Sequence, residues 1–162
     1  PKMSSKKPKR LPTKKPPRER EIHSPRVAAI QMNSTPDVEA NIRQAHELLQ
    51  EALKRDPNVV AFPENMFLCA EDGNDTRTKA ETLDGLMVET LREWSAENDI
   101  WILAGSLPIR AKGGKITNTS LLFNPEGEIE ARYDKIHLFD VVVPGDREYR
   151  ESKSVKAGKK GT

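Results

Sequence analysis

The sequence predicts an α/β fold, and three observations carry that prediction. Short apolar runs of strand length alternate with segments whose apolar residues recur every three or four positions. The runs are nearly continuous in apolar residues, as expected for strands of a sheet covered on both faces. The pattern also begins abruptly at Arg26, after a stretch that shows none of it.

That first stretch, residues 1–25, holds six of the chain's twelve prolines and almost no large apolar side chains. It cannot bury enough surface to offset its ordering entropy and is expected to be disordered. Residues 1–26 carry ten Lys/Arg against two acids, a local charge of +8, which leaves 17 against 23, or −6, for the rest. The folded part is therefore a poor nucleic-acid surface. Binding to nucleic acid is expected only non-specifically, through residues 1–26. Lys6-Lys7-Pro8-Lys9-Arg10 reads either as a nuclear address or as a solvated linker, and the linker is the preferred reading. A mitochondrial transit peptide is a further alternative, weakened by Glu19 and Glu21. No apolar run is long enough for a membrane span, and none follows the basic start as a secretory signal requires. The default location is cytoplasmic. Cys69 is the single cysteine and has no internal disulfide partner, and the three histidines are scattered. Neither a metal nor a cofactor is expected, and no glycine-rich phosphate loop occurs.

The elements follow in order. Val27 to Met32 is a first strand, too short for a helix. Ser34-Thr35-Pro36-Asp37 supplies an N-cap and a proline suited to a first helical turn. Val38, Ile42, Ala45, Leu49 and Ala52 then trace one face of a helix that ends at Asp56-Pro57-Asn58. Val59 to Phe62 is a second strand, stopping at Pro63-Glu64-Asn65, and Asp72-Gly73-Asn74-Asp75 reads as a loop. Leu83, Met87, Leu91 and Trp94 mark a second helix. Ile100 to Leu107 and Ile116 to Phe123 are strands joined at Gly113-Gly114, and Ile129 to Tyr133 follows the turn at Pro125-Glu126-Gly127-Glu128. From Val141 onward the chain is polar and without period, so no element is expected there.

In open α/β sheets functional groups gather beyond the carboxyl ends of strands. Glu64 stands there, behind Pro63, where desolvation is expected to raise its pKa and suit it to accept a proton. The competing reading is a turn-capping or surface-paired glutamate. Lys135, within Tyr133-Asp134-Lys135-Ile136-His137-Leu138-Phe139, is either an oxyanion-stabilising ammonium beside a carboxylate or a lysine snorkelling from an edge strand. His137 is expected to be a structural, hydrogen-bonded histidine rather than a base.

Four segments together resemble the nitrilase, or carbon–nitrogen hydrolase, superfamily from about Val27 to Gly158. They are Ala29-Ile30-Gln31-Met32-Asn33, Phe62-Pro63-Glu64-Asn65, the run from Arg132 to Asp140, and Tyr149-Arg150-Glu151-Ser152. The likeness is greatest to the Nit subgroup, whose activities are omega-amidase and deaminated glutathione amidase. The resemblance implies a four-layer α-β-β-α sandwich and a cofactor-free Glu–Lys–Cys triad hydrolysing non-peptide amides. By position it makes Glu64 the general base, Lys135 the oxyanion-stabilising lysine and Glu151 a second glutamate that positions lysine and substrate. A small-molecule amide is the implied substrate, and a homo-oligomer the implied assembly of a full-length protein.

The family's nucleophile sits in a Cys-Tyr-Asp-like context after a further strand, which these residues do not reach. Cys69, five residues past Glu64, matches no family position. Residues 26–162 are therefore expected to be an incomplete domain of partial sandwich type, lacking its C-terminal half. This chain alone is expected to be inactive and of poor autonomous stability. Two other readings stand beside it: a catalytically dead homologue that associates with a full-length relative, and a basic-tailed nucleic-acid binder.

Overall fold

The computed structural model describes residues 24–70, 73–144 and 148–159. The disorder expected of residues 1–25 therefore falls almost wholly outside the described residues. Five strands form one sheet in the order β1-β2-β3-β4-β5: β1 Val27–Ala29, β2 Val59–Ala61, β3 Trp101–Arg110, β4 Ile116–Phe123 and β5 Ile129–Asp134. The first two pairings are parallel and the last two antiparallel. The parallel pairs require crossovers, and two helices provide them: α1 Val38–Leu53 and α3 Leu86–Asn98.

Asp37 caps α1, its side chain accepting from Ala40 N at 3.0 Å, an interaction that contributes about 1 kcal/mol. The buried positions of α1 are Asn41, Ala45 and Leu49, spaced by four, with Val38 and Ile42 at the margin of the expected face. α3 starts three residues after Leu83, and its Met87, Val88, Leu91 and Trp94 are buried. It ends on Asp99 in the left-handed region at φ 54°.

Both helices pack on the same side of the sheet. Val60, Ile102, Ala104, Leu121 and Phe123 meet Ala45, Leu49, Met87, Leu91 and Trp94 in a single core. On the opposite face the register aligns Ala61, Leu103, Leu122 and Ala131, and Leu103 is 37% exposed. This corrects the expectation of a sheet covered on both faces: the second face is apolar but open. The described residues thus form a layer of helices on one face of a mixed sheet.

Two further expectations are corrected. The loop expected over 72–75 is, from Gly73 onward, part of a seven-residue helix, α2 Gly73–Lys79, with no buried residue and an ion pair from Lys79 to Asp75 one turn apart. Its sequence lacks an apolar face, so periodicity cannot reveal it. The segment after Asp140 is also not featureless. It forms a two-stranded antiparallel ribbon, β6 Asp140–Val142 with β7 Glu148–Arg150, followed by a 3-10 turn at Glu151–Lys153. Polar hydrogen bonds hold it, including Ser152 N to Asp140 Oδ1 at 3.0 Å. Val155, buried, then bridges to Ile116 beside β4. Gly158 lies so close to β5 that a Cβ there would come within 2.2 Å of the Asp134 carbonyl oxygen.

Candidate functional site

β2 ends because Pro63 has no N–H to continue the ladder that Phe62 N closes onto Leu103 O at 2.9 Å. The chain then turns through Asn65, left-handed at φ 53°. One residue of β3 fastens this turn. Ser106 N donates to Pro63 O at 3.0 Å, its hydroxyl accepts from Asn65 N at 3.1 Å, and its carbonyl accepts from Met66 N at 3.2 Å. β3 is irregular here, its register with β4 shifting between Ala104 and Leu107. A second anchor is buried Asn41 of α1, whose amide donates to Thr35 O at 2.7 Å and Phe67 O at 2.9 Å. Glu64 is thus presented from a rigid turn at the carboxyl end of β2.

Lys135 follows β5 directly, and its backbone is tied on both sides. Lys135 N donates to Asn118 O at 2.9 Å, and Gly158 N donates to Lys135 O at the same distance. Its ammonium bridges two carboxylates: Glu64 Oε1 at 3.0 Å and Glu151 Oε2 at 3.1 Å. Glu151 Oε2 also accepts from Phe139 N at 2.6 Å. Asn118, buried in β4, donates its side-chain amide to Glu64 Oε1 at 2.7 Å. The structure therefore brings together all three residues singled out in the sequence, from segments 71 positions apart for the Lys135–Glu64 pair. Lys135 leaves the edge strand but does not snorkel to solvent.

These groups line a cleft of about 760 Å³, with Cys69, Phe139 and Tyr149 also on its walls. Cys69 is exposed, and among the described residues its thiol makes no hydrogen bond to Glu64 or Lys135. His137 is exposed, makes no hydrogen bond among the described residues and is absent from the cleft wall. The structural, hydrogen-bonded role expected of it is not met. Among the described residues no group of three or more His, Cys, Asp or Glu side chains is arranged to hold a metal ion. No helix among them is long and apolar enough to cross a membrane.

The electrostatics differ from the simple expectation for Glu64. Burial does push its carboxyl up, but the hydrogen bonds from Lys135 and Asn118 and the lysine's charge outweigh it, so the net shift is downward. Glu64 is ionised at neutral pH and able to take a proton. For Lys135 burial favours the neutral amine, yet hydrogen bonds and charge from Glu64 and Glu151 win and its pKa is raised. The lysine is a fixed cation with three N–H donors, two of them spent on carboxylates and one left for a ligand.

The sequence profile of the family described as carbon-nitrogen hydrolase matches residues 26–162. The chain belongs to the carbon-nitrogen hydrolase family. It is 38% identical over 139 residues to a deaminated glutathione amidase of Synechocystis, covering 83% of this chain and 50% of that protein. It is 34% identical over 136 residues to omega-amidase NIT2 of Mus musculus, covering 82% of this chain and 48% of that one. Among solved structures it superposes on the C. elegans NitFhit protein with a TM-score of 0.74 at 28% identity, over 83% of this chain and 33% of that one. This carbon-nitrogen hydrolase chain spans about half the length of the curated relatives it matches.

Two site residues carried no weight in the sequence reading: Asn118 and Ser106. A glycine followed by a serine inside an apolar strand, Ala104-Gly105-Ser106-Leu107, was the available sign of a close backbone approach. Asn118, a polar residue at the middle of a strand, was the other.

Proposed function

We propose that this chain supplies the base, the oxyanion-binding lysine and the second glutamate for hydrolysis of a non-peptide amide bond in a small carboxylate-bearing substrate. The observation that carries the reading is the continuous Glu64–Lys135–Glu151 bridge on the wall of the cleft. In the reaction Glu64 takes the proton of a thiol, and the resulting thiolate adds to the amide carbonyl. The third N–H of Lys135 donates to the oxyanion that forms. The C–N bond breaks as Glu64 returns the proton to the departing nitrogen. Glu64 then deprotonates water, whose attack on the thioester releases the acid and restores the thiol. Glu151 holds Lys135 in place throughout. The substrate class takes its support from the relatives named deaminated glutathione amidase and omega-amidase.

In this reading the thiol comes from the part of the family domain outside the match, and the 162-residue chain by itself does not turn over. The test is an assay of the chain alone, and of the chain co-expressed with the C-terminal half of the Synechocystis relative, on deaminated glutathione and succinamate. The expected result is hydrolysis only by the pair, abolished by Glu64→Gln. Turnover by the chain alone that disappears in Cys69→Ala would make Cys69 the nucleophile instead. A pair that stays active with Glu64→Gln would remove the base from the scheme.

The open apolar face of the sheet favours a second reading, in which the chain associates with a full-length relative without catalysing anything. A pair that co-purifies but never turns over would select it.

A further inference from the structure

We propose that Asn118 is the positioning residue of this site, tying Glu64 down through Oε1 so that Oε2 is the oxygen that exchanges protons. The inference rests on the reading of Glu64 as the base and goes beyond it by assigning the atom and the residue that selects it.

Four observations support it. Asn118 Nδ2 and Lys135 Nζ both donate to the same oxygen, Glu64 Oε1, at 2.7 and 3.0 Å. Glu64 Oε2 has no hydrogen-bond partner among the described residues. Asn118 also grips the lysine, because its carbonyl accepts from Lys135 N at 2.9 Å. It is itself fixed, 7% exposed in the middle of β4, where it pairs with Pro108 of β3. One residue thus sets the separation of the two charged groups from both sides. With Oε1 occupied twice, rotation of the carboxylate would break two hydrogen bonds, so the oxygens do not interchange freely. An attacking group then loses its proton to Oε2, which becomes the O–H of a neutral carboxylic acid, and the same oxygen returns it. A neutral amide suits this position better than a second cation, since it orients the carboxylate without adding charge.

The experiment is an NMR titration of the full 162-residue chain, following the Glu64 carboxyl carbon and the Asn118 side-chain amide. In the unaltered chain the Asn118 amide signal should move with the same midpoint as the Glu64 carbon. An amide signal that ignores the ionisation of Glu64 would overturn the proposal without any variant. Asn118→Ala should move the Glu64 midpoint to higher pH. Asn118→Asp, of the same shape but an acceptor with its own charge, should move it further. Both leave the backbone bond to Lys135 intact, so a purely structural role predicts no shift in a variant whose backbone spectrum is preserved. An unmoved midpoint in such a variant refutes the proposal. Neither readout depends on turnover, so failure here and failure of the amidase reading are separate results.

Discussion

Gly105→Ala is expected to destabilise the chain by about 3 kcal/mol or more. A Cβ at this position would sit 2.0 Å from the Phe62 carbonyl oxygen and 3.1 Å from the Pro63 carbonyl carbon. Both are backbone atoms of the turn that presents Glu64, and neither can swing aside. The overlap is relieved only if β3 separates from that turn, which also releases the three hydrogen bonds of Ser106. The comparison is Gly113→Ala, where a Cβ has open space but φ is +83°, so the cost is backbone strain of about 1 kcal/mol. Urea denaturation of the two variants separates the mechanisms. Equal midpoints would mean that the approach of β3 to Pro63 relaxes freely.

Much of this architecture was legible in the sequence where burial imposes a period. β4 has the expected bounds and α1 starts where expected, ending three residues before Asp56, because Ala45 and Leu49 repeat along one helix face and Ile116 to Phe123 is a strand run. The elements that escaped are those whose stability is polar. α2 buries nothing, and β6 and β7 are exposed strands held by Asp140, Glu151 and Phe139. β1 was overestimated, since Ile30 still donates to Ala61 O but the ladder is not continued past it. The second sheet face shows the limit of the same reasoning. Apolar residues on both sides of a strand reveal that both sides can be covered, not what covers them.

For the site, position after a strand was enough to single out Glu64, the aromatic and aliphatic run around Lys135 singled out that lysine, and the family motifs brought in Glu151. What the linear sequence does not contain is the sign of the balance. Burial alone would raise the Glu64 carboxyl, and the opposite outcome depends on Asn118 and Lys135 converging on one oxygen from β4 and from the end of β5. Convergence of that kind is a property of the register between strands.

That balance makes Lys135→Met the second large effect. In the unaltered chain the lowered pKa of Glu64 gives stability that is present above the ordinary carboxylate range and lost as pH falls through its folded value. The raised pKa of Lys135 gives stability that is present below the ordinary lysine value and lost as pH rises through its folded value. The pair therefore supports the fold across the window between. Methionine removes the cation and keeps the volume. Burial then outweighs the remaining hydrogen bond from Asn118, because it is the largest influence on the group, and Glu151 is left facing Glu64 with no cation between them. The Glu64 pKa turns from lowered to raised, so this site favours the folded state more as pH falls, the reverse of the unaltered chain. The alkaline loss disappears with the amine. At neutral pH the cost is about 1–2 kcal/mol, kept small because Glu64 is 54% exposed and water partly replaces the lysine. On the proposed reaction the loss is larger, about 10²–10³-fold in turnover of the complemented pair, since Lys135 is the donor proposed to meet the oxyanion. Denaturant melts at several pH values check the first claim and the paired assay the second. A Met variant with the unaltered chain's pH profile would show that the Glu64–Lys135–Glu151 bridge does not form in solution.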